Sequence, residues 1–337
     1  MLIIDKSEVD FLVTEEMVPE TRHILEKVFP LVDDILQTVD KSTIERIYFV
    51  ACGSPLCACE TAAMLADTYG HFCVKTFSAM DFVLNPPYVI DRHTLVVGVS
   101  DSGETQEVVQ AVELARQRGA VTVAVTKTEE SSLAKAGEYV AAYHAECIWI
   151  VHTLIGYHLV LHFLQETPEL KQIKEELYEL PGELERLLAE VEDEMEKWGE
   201  RASKWDLIYT VSSGNLLPIG YKEGIITMLE FTWTHGCNLN ASEFRHGPLE
   251  VVEENTNYVF FLGRDKTRPS AERALRFVEG LTDNVIVFDS KKFSDKFHPA
   301  LDPFLIFVPL EYFYYYLSIY KGHNPDDRRY YGGLRPY

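Results

Sequence analysis

Basic side chains are scarce in this sequence. Lys and Arg number 31 against 53 Asp and Glu, a formal net charge of −22. A surface that acidic repels nucleic acid and anionic membrane, because both are held by clustered cations, and no long basic run offsets it. Neither is an expected partner. Cysteine is scarce as well, six in 337 residues, too few for a disulfide scaffold in so long a chain. Cys52, Cys57 and Cys59 crowd one stretch, but their C-x₄-C-x-C spacing is not that of a zinc site. Reduced, packed thiols of a cytoplasmic protein are expected, with no metal and no cofactor. The N-terminus lacks a basic segment followed by an apolar one, so no signal peptide is read there. Only one apolar run approaches membrane-spanning length, Cys147–Leu164, and it carries His152, His158 and His162 without basic flanks. It reads as a helix buried in a core or a subunit interface. His158 and His162 stand one helical turn apart, but no third ligand accompanies them, and structural roles are expected for both.

What the sequence does contain is an alternation of short apolar runs with helical segments. Residues 1–39 open the chain with acidic and apolar residues at helical spacing, which suggests two helices. Strands follow at Ile47–Ala51, Thr94–Val99, Val121–Thr126 and Tyr139–Tyr143, and the segments between them have helical period, notably Glu104–Arg118. The second half repeats this at Leu207–Val211, Tyr258–Leu262, Asn284–Phe288 and Phe304–Val308. Strand starts at 48, 95, 121 and 139 against 208, 258, 284 and 304 give offsets of 160, 163, 163 and 165. A nearly constant offset predicts two copies of one domain, each a doubly wound parallel α/β sheet in three layers. The expected domains are 40–167 and 205–337, joined by a Glu-, Leu- and Lys-rich helical linker over 168–204.

Ligands of open parallel sheets bind where strands run into helix N-termini. Two such ends stand out, Cys52-Gly53-Ser54 and Ser100-Asp101-Ser102-Gly103-Glu104-Thr105. Gly103 permits a tight turn with exposed amides; Ser100, Ser102 and Thr105 add hydroxyls; the helix from about Glu104 turns its positive end to an anion. The same pattern also fits ordinary helix capping, so spacing alone leaves both readings open. A nucleophile elbow is disfavoured, because that motif needs glycine where Ser102 stands. A second cluster lies in Lys222–Glu250, where Glu223, Glu230, His235, Glu243 and His246 share one short region. Glu230 sits in an apolar helical stretch, partly withdrawn from water as suits a general base, and His246 precedes Gly247-Pro248 in a loop suited to proton shuttling. A surface carboxylate and a capping histidine are the plainer alternative.

Cys52-Gly53-Ser54, the turn Ser100–Thr105, and Glu243-Phe244-Arg245-His246-Gly247-Pro248-Leu249 resemble, in order, the motifs of the sugar isomerase (SIS) domain family. The resemblance runs from about residue 40 to 330 and extends to the isomerase half of glucosamine-6-phosphate synthase. It implies two tandem SIS domains, phosphate binding at Ser54, Ser100, Ser102 and Thr105 with Gly53, Asp101 and Gly103 beside them, and no metal. It implies Glu230 as the base moving a proton between C1 and C2, and His246 as the ring-opening group, supplied by a neighbouring subunit. An active site shared within a homodimer or larger homo-oligomer follows. Glu223 is a secondary candidate for orienting the site or contacting the sugar.

Departures from the synthase are informative. Its helix lysine falls at Thr227 and its C-terminal lysine near Gly332, and the chain opens on Met1-Leu2 without an amidotransferase nucleophile, which points away from glutamine-derived ammonia. Asp10-Phe11-Leu12-Val13-Thr14, Glu230-Phe231-Thr232-Trp233-Thr234-His235-Gly236 and the stretch Tyr320–Gly333 resemble the fructoselysine 6-phosphate deglycases. That resemblance implies hydrolysis of a phosphorylated sugar–amino acid conjugate, reversing an Amadori rearrangement. An aldose–ketose isomerase and a non-catalytic sugar-phosphate sensor are the alternatives.

Overall fold

The computed structural model describes residues 1–330 and 334–336 and falls into two compact units. One comprises residues 15–181; the other joins residues 1–14 to the chain from Gly182 onward.

In the unit of residues 15–181 the β-branched runs form five parallel strands: β1 (Arg46–Ala51), β2 (Cys73–Ser78), β3 (Thr94–Val99), β4 (Val121–Thr126) and β5 (Tyr139–Ala142), in the order β2-β1-β3-β4-β5. β3 is buried at every position, as a central parallel strand covered on both faces must be. The helix Gln106–Gln117 packs on β3 and β4 through Val108, Val109, Ala111, Val112 and Ala115. Helix Ser54–Tyr69 packs on β2 and on helix Ile148–Phe163, the apolar run of the sequence. That run is buried almost all round, and no helix among the described residues is long and apolar enough to cross a membrane. Within it His158 Nε2 lies 2.8 Å from an Asp33 carboxylate oxygen, while His162 lies 3.9 Å from the same carboxylate. The two expected opening helices, Thr14–His23 and Phe29–Thr38, are joined by a π-helical turn at Ile24–Val28.

The other unit carries four parallel strands: β6 (Leu207–Ser212), β7 (His235–Asn240), β8 (Asn257–Leu262) and β9 (Val285–Asp289), in the order β7-β6-β8-β9. Starts at 46, 73, 94 and 121 against 207, 235, 257 and 285 give offsets of 161, 162, 163 and 164. The internal repeat is therefore real, but its members differ from those expected. β2 and β7 form a matching pair that the apolar pattern did not reveal, because both are edge strands with mixed, half-exposed faces.

The strand expected at Phe304–Val308 is helical instead. Helix Asp302–Leu305 leads into helix Phe307–Tyr320, and nearly every residue of both is buried. Periodicity cannot separate a buried strand from a buried helix; length can, and here the apolar run continues to Ile319. Pro303 in the first helical turn, where a missing N–H costs nothing, favours the helix further.

Residues 168–202 form three helices, Pro168–Leu177, Leu180–Glu190 and Glu192–Ala202. The last packs along Phe307–Tyr320 with Met195, Gly199 and Ala202 buried. A Cβ built on Gly199 would stand 2.6 Å from Tyr316 Cβ and 2.8 Å from the Leu317 amide nitrogen. The replacement Gly199→Val is expected to force these helices apart, costing about 1–3 kcal/mol. Scanning calorimetry should show a melting temperature lower by several degrees; an unchanged value would contradict the close approach.

Candidate active site

In the first sheet the chain steps from β1 to β2 on one side, then returns to lay β3 on the other. The strand order thus reverses between β1 and β3, and the turns after these two strands flank a crevice at their carboxyl ends. After β1, Gly53 adopts φ +63°, and a Cβ built there would meet nothing within 4 Å. Ser54 follows as the first residue of a helix of 16 residues, its side chain half-buried.

After β3, Ser100 is buried; its Oγ lies 2.9 Å from Thr105 Oγ1 and accepts from the Gly103 amide at 3.2 Å. Ser102 is exposed, its Oγ accepting from the Glu104 amide at 3.1 Å. Thr105 caps helix Gln106–Gln117 by position, without a side-chain bond to the helix. Gly103 is fixed twice over. Its φ is +65°, and a Cβ would collide with Ser131 at 2.4 Å and Thr126 Oγ1 at 2.5 Å.

Both carboxylates of this turn are engaged away from its amides. Glu104 accepts from the Ser132 amide at 2.9 Å and the Ser132 hydroxyl at 2.6 Å, bonds that lower its pKa. Asp101 accepts from the Tyr143 hydroxyl at 2.7 Å, and that oxygen lies 2.8 Å from His152 Nε2. Burial raises the pKa of Asp101 and of Tyr143. This Asp101–Tyr143–His152 chain was not read from the sequence.

The second sheet has its own reversal, between β6 and β8. Here the turn glycine, Gly214, has φ +57°, but a Cβ on it would strike Asp265 Oδ2 at 2.1 Å and Thr267 Oγ1 at 2.4 Å. Asp265 Oδ2 accepts from the Asn215 amide at 3.0 Å, and Oδ1 from the Thr267 amide at 2.8 Å and hydroxyl at 2.6 Å. The space that is open over Gly53 is filled over Gly214 by an internal carboxylate.

The remaining candidates lie in this second unit. The segment Leu217–Phe231 is helical throughout, with a π-helical stretch at Lys222–Thr227, a distortion frequent at functional sites. Gly220 and Gly224 let it press on β6, since a Cβ at either would lie about 2 Å from a hydroxyl of Ser212 or Thr210. Glu230 is in the last turn, its side chain 29% exposed, accepting from Arg328 Nε at 3.1 Å through Oε1. Glu223 is buried and accepts from Lys222 Nζ at 2.7 Å. Lys222 also lies 4.0 Å from Glu311, whose pKa burial pushes up to about 8. His246 is exposed between the short turn Ala241–Glu243 and the turn Pro248–Val251. No hydrogen bond or ion pair joins it to Glu230 among the described residues. Thr227 is buried in the π-helical stretch, and Gly332 lies outside the described residues.

Comparisons with known proteins cover both units. The SIS domain model matches residues 42–162. The fructoselysine 6-phosphate deglycase of Escherichia coli K12 is 51% identical over 340 residues, spanning 100% of each chain. A fructosamine deglycase of Bacillus subtilis 168 is 30% identical, covering 90% of this chain and 96% of its own. Among solved structures, the C-terminal domain of glucosamine-fructose-6-phosphate aminotransferase from Francisella tularensis superposes with a TM-score of 0.78 at 18% identity. It covers 95% of this chain and 98% of that one, a likeness of fold.

The buried chain beneath the serine turn has a measurable acid signature. Burial lowers the His152 pKa from 6.5 to about 3, so the folded protein holds this ring neutral. Between those values the unfolded chain takes up a proton that the folded chain refuses, and stability falls as pH drops through that window. In His152→Gln this contribution disappears. Urea unfolding at mildly acidic and neutral pH should show the loss of stability on acidification reduced by up to about 1.4 kcal/mol per pH unit. An identical pH slope in the variant would contradict the buried neutral ring.

Proposed function

This chain belongs to the SIS domain family, in its fructoselysine 6-phosphate deglycase branch, and from that premise we propose that it hydrolyses fructoselysine 6-phosphate to glucose 6-phosphate and free lysine. The observation that carries the reading is 51% identity along the whole length of both chains. The phosphate docks at the β1/β3 crevice on Ser54, Ser100, Ser102, Thr105 and the amides around Gly53 and Gly103. It orients the sugar and supplies proximity rather than chemistry. His246 assists opening of the ring. Glu230 removes a proton from C1 of the open-chain ketosamine; the electrons of that C–H bond form the C1–C2 double bond while the C2 carbonyl π bond breaks and its oxygen takes up a proton, giving an enaminol. Return of a proton to C2 converts this to an imine between C1 and nitrogen. Water adds to C1, the C–N bond breaks, and the amine leaves with the proton it needs. Arg328 engages Glu230 through Oε1; among the described residues nothing bonds Oε2, the oxygen assigned here to the proton.

The six cysteines, present as thiols, suit a reducing, cytoplasmic setting. Because His246 is exposed and unbonded to Glu230, each site is taken to use Glu230 of one subunit and His246 of a second copy.

Release of free lysine from fructoselysine 6-phosphate, followed by mass spectrometry, is the direct test. Conversion to an isomeric sugar phosphate conjugate without amine release would replace this reading with a plain isomerase. Glu230→Gln is expected to lower kcat by at least ~10²-fold, the lower bound for a well-placed general base, with KM little changed. Near-normal kcat would remove Glu230 from the mechanism. The shared site has its own check: Glu230→Gln and His246→Gln proteins, each impaired alone, should regain activity when mixed under subunit exchange, because one site of each mixed dimer keeps both groups. No recovery despite demonstrated exchange would place both groups on one subunit.

A further inference from the structure

The segment after helix Phe307–Tyr320 is fastened around the end of the helix that carries Glu230. Gly322 turns the chain at φ +78°. The His323 amide donates to the Ser318 carbonyl at 3.0 Å, and Ser318 Oγ lies within 3.0 Å of the carbonyls of both Phe231 and His323. Asp326 accepts from the Asp10 and Phe11 amides at 2.8 Å each, and the Phe11 ring lies 4.8 Å from that of Phe231. This fastening delivers two adjacent arginines to the same spot. Arg328 reaches Glu230 and covers the Phe231 ring at 4.3 Å; Arg329 lies over the Trp233 ring at 3.8 Å.

Trp233 is unusual in two respects. Its φ is +50°, a conformation that L side chains rarely adopt. The residue is also 36% exposed although the His323 ring stacks on its indole at 3.8 Å. His323 is buried to 8% exposure, and its Nε2 has no hydrogen-bond partner among the described residues. Trp233 thus stands three residues beyond the candidate base as an aromatic platform that His323 and Arg329 both engage. Arg329 is exposed on that platform, and in a chain with 53 acidic side chains none of the described carboxylates pairs with it. A guanidinium stacked on a ring keeps its N–H fork free for a carboxylate in the plane.

We propose that Arg329, stacked on Trp233, is the specificity-determining residue that receives the α-carboxylate of the amino-acid half of the conjugate. This rests on the deglycase reading and names a subsite within it. The phosphate is assigned to the serine turn, so the other anion of the substrate is that carboxylate, about seven bonds from C1 along the flexible lysine stem, roughly 9 Å when extended. Glu230 works at C1, Arg328 touches Glu230, and Arg329 is the next residue, with a side chain long enough to meet the far end of the stem.

The test compares fructoselysine 6-phosphate with the otherwise identical conjugate of cadaverine, which is lysine without its carboxylate. Amine release by the wild-type protein is expected to favour the lysine conjugate about 10–100-fold in kcat/KM, mostly through KM, as for a charge-assisted bidentate contact. In Arg329→Gln the ratio of the two substrates should fall towards about 1, and Arg329→Lys should retain part of it. A ratio compares two substrates on one preparation, so a partly unfolded variant does not move it. The wild-type ratio needs no variant at all. Equal use of both conjugates by the wild type, or an undiminished ratio in Arg329→Gln, overturns the proposal while leaving the deglycase reading intact. Release of neither amine sinks the deglycase reading and this inference with it.

Discussion

The phosphate site proposed for the serine turn, in a chain with an excess of 22 negative charges, relies on short-range dipoles, because the long-range field is repulsive. The serine turn meets that constraint by disposing of its own acids. Glu104 is occupied by Ser132 and Asp101 by Tyr143, so two carboxylates beside the crevice are spent on protein donors. What remains at the strand ends is hydroxyl and amide, backed by the positive ends of two helices. The buried Tyr143–His152 pair belongs to the same arrangement: it anchors the turn from beneath with groups that carry no charge near neutral pH.

The second unit solves a different problem with related means. A carboxylate proposed to move protons has to be reachable by substrate yet fixed in direction. Glycines at 220 and 224 bring its helix onto β6, the π-helical stretch resets the phase of the last turn, and Arg328 holds one oxygen of Glu230 from the C-terminal segment. Glu223, seven residues earlier, points into a buried cluster with Lys222 and Glu311 instead. Two glutamates on one short helical stretch thus have opposite surroundings, one anchoring and one accessible.

Most of the strands were legible, though not their order in the sheets, because central parallel strands write themselves as unbroken apolar runs, as β3 and β8 do. The edge strands β2 and β7 were not, since Lys75, Thr76, Asn238 and Asn240 dilute any apolar signal. Phe304–Val308 misled for the opposite reason, a run so apolar that it carries no period. The placement of the serine turn at a strand end could be read from its glycine and hydroxyls. The link from Asp101 through Tyr143 to His152 could not, nor could that of Arg328 to Glu230 across 98 positions. Contacts made only by tertiary folding leave no local pattern, and even the recognisable likeness of the Tyr320–Gly333 stretch to other proteins says nothing of what its arginines touch.

Asp265 gives the duplicated architecture a direction. A group tethered to its own backbone competes at a high effective concentration, so Asp265, bonded to the Asn215 and Thr267 amides, disfavours an outside anion over Gly214. Of the two matching turns, the one over Gly53 is then the open berth for the proposed phosphate, which would saturate with simple hyperbolic behaviour within one chain. Any sigmoidal response would have to arise from communication between copies.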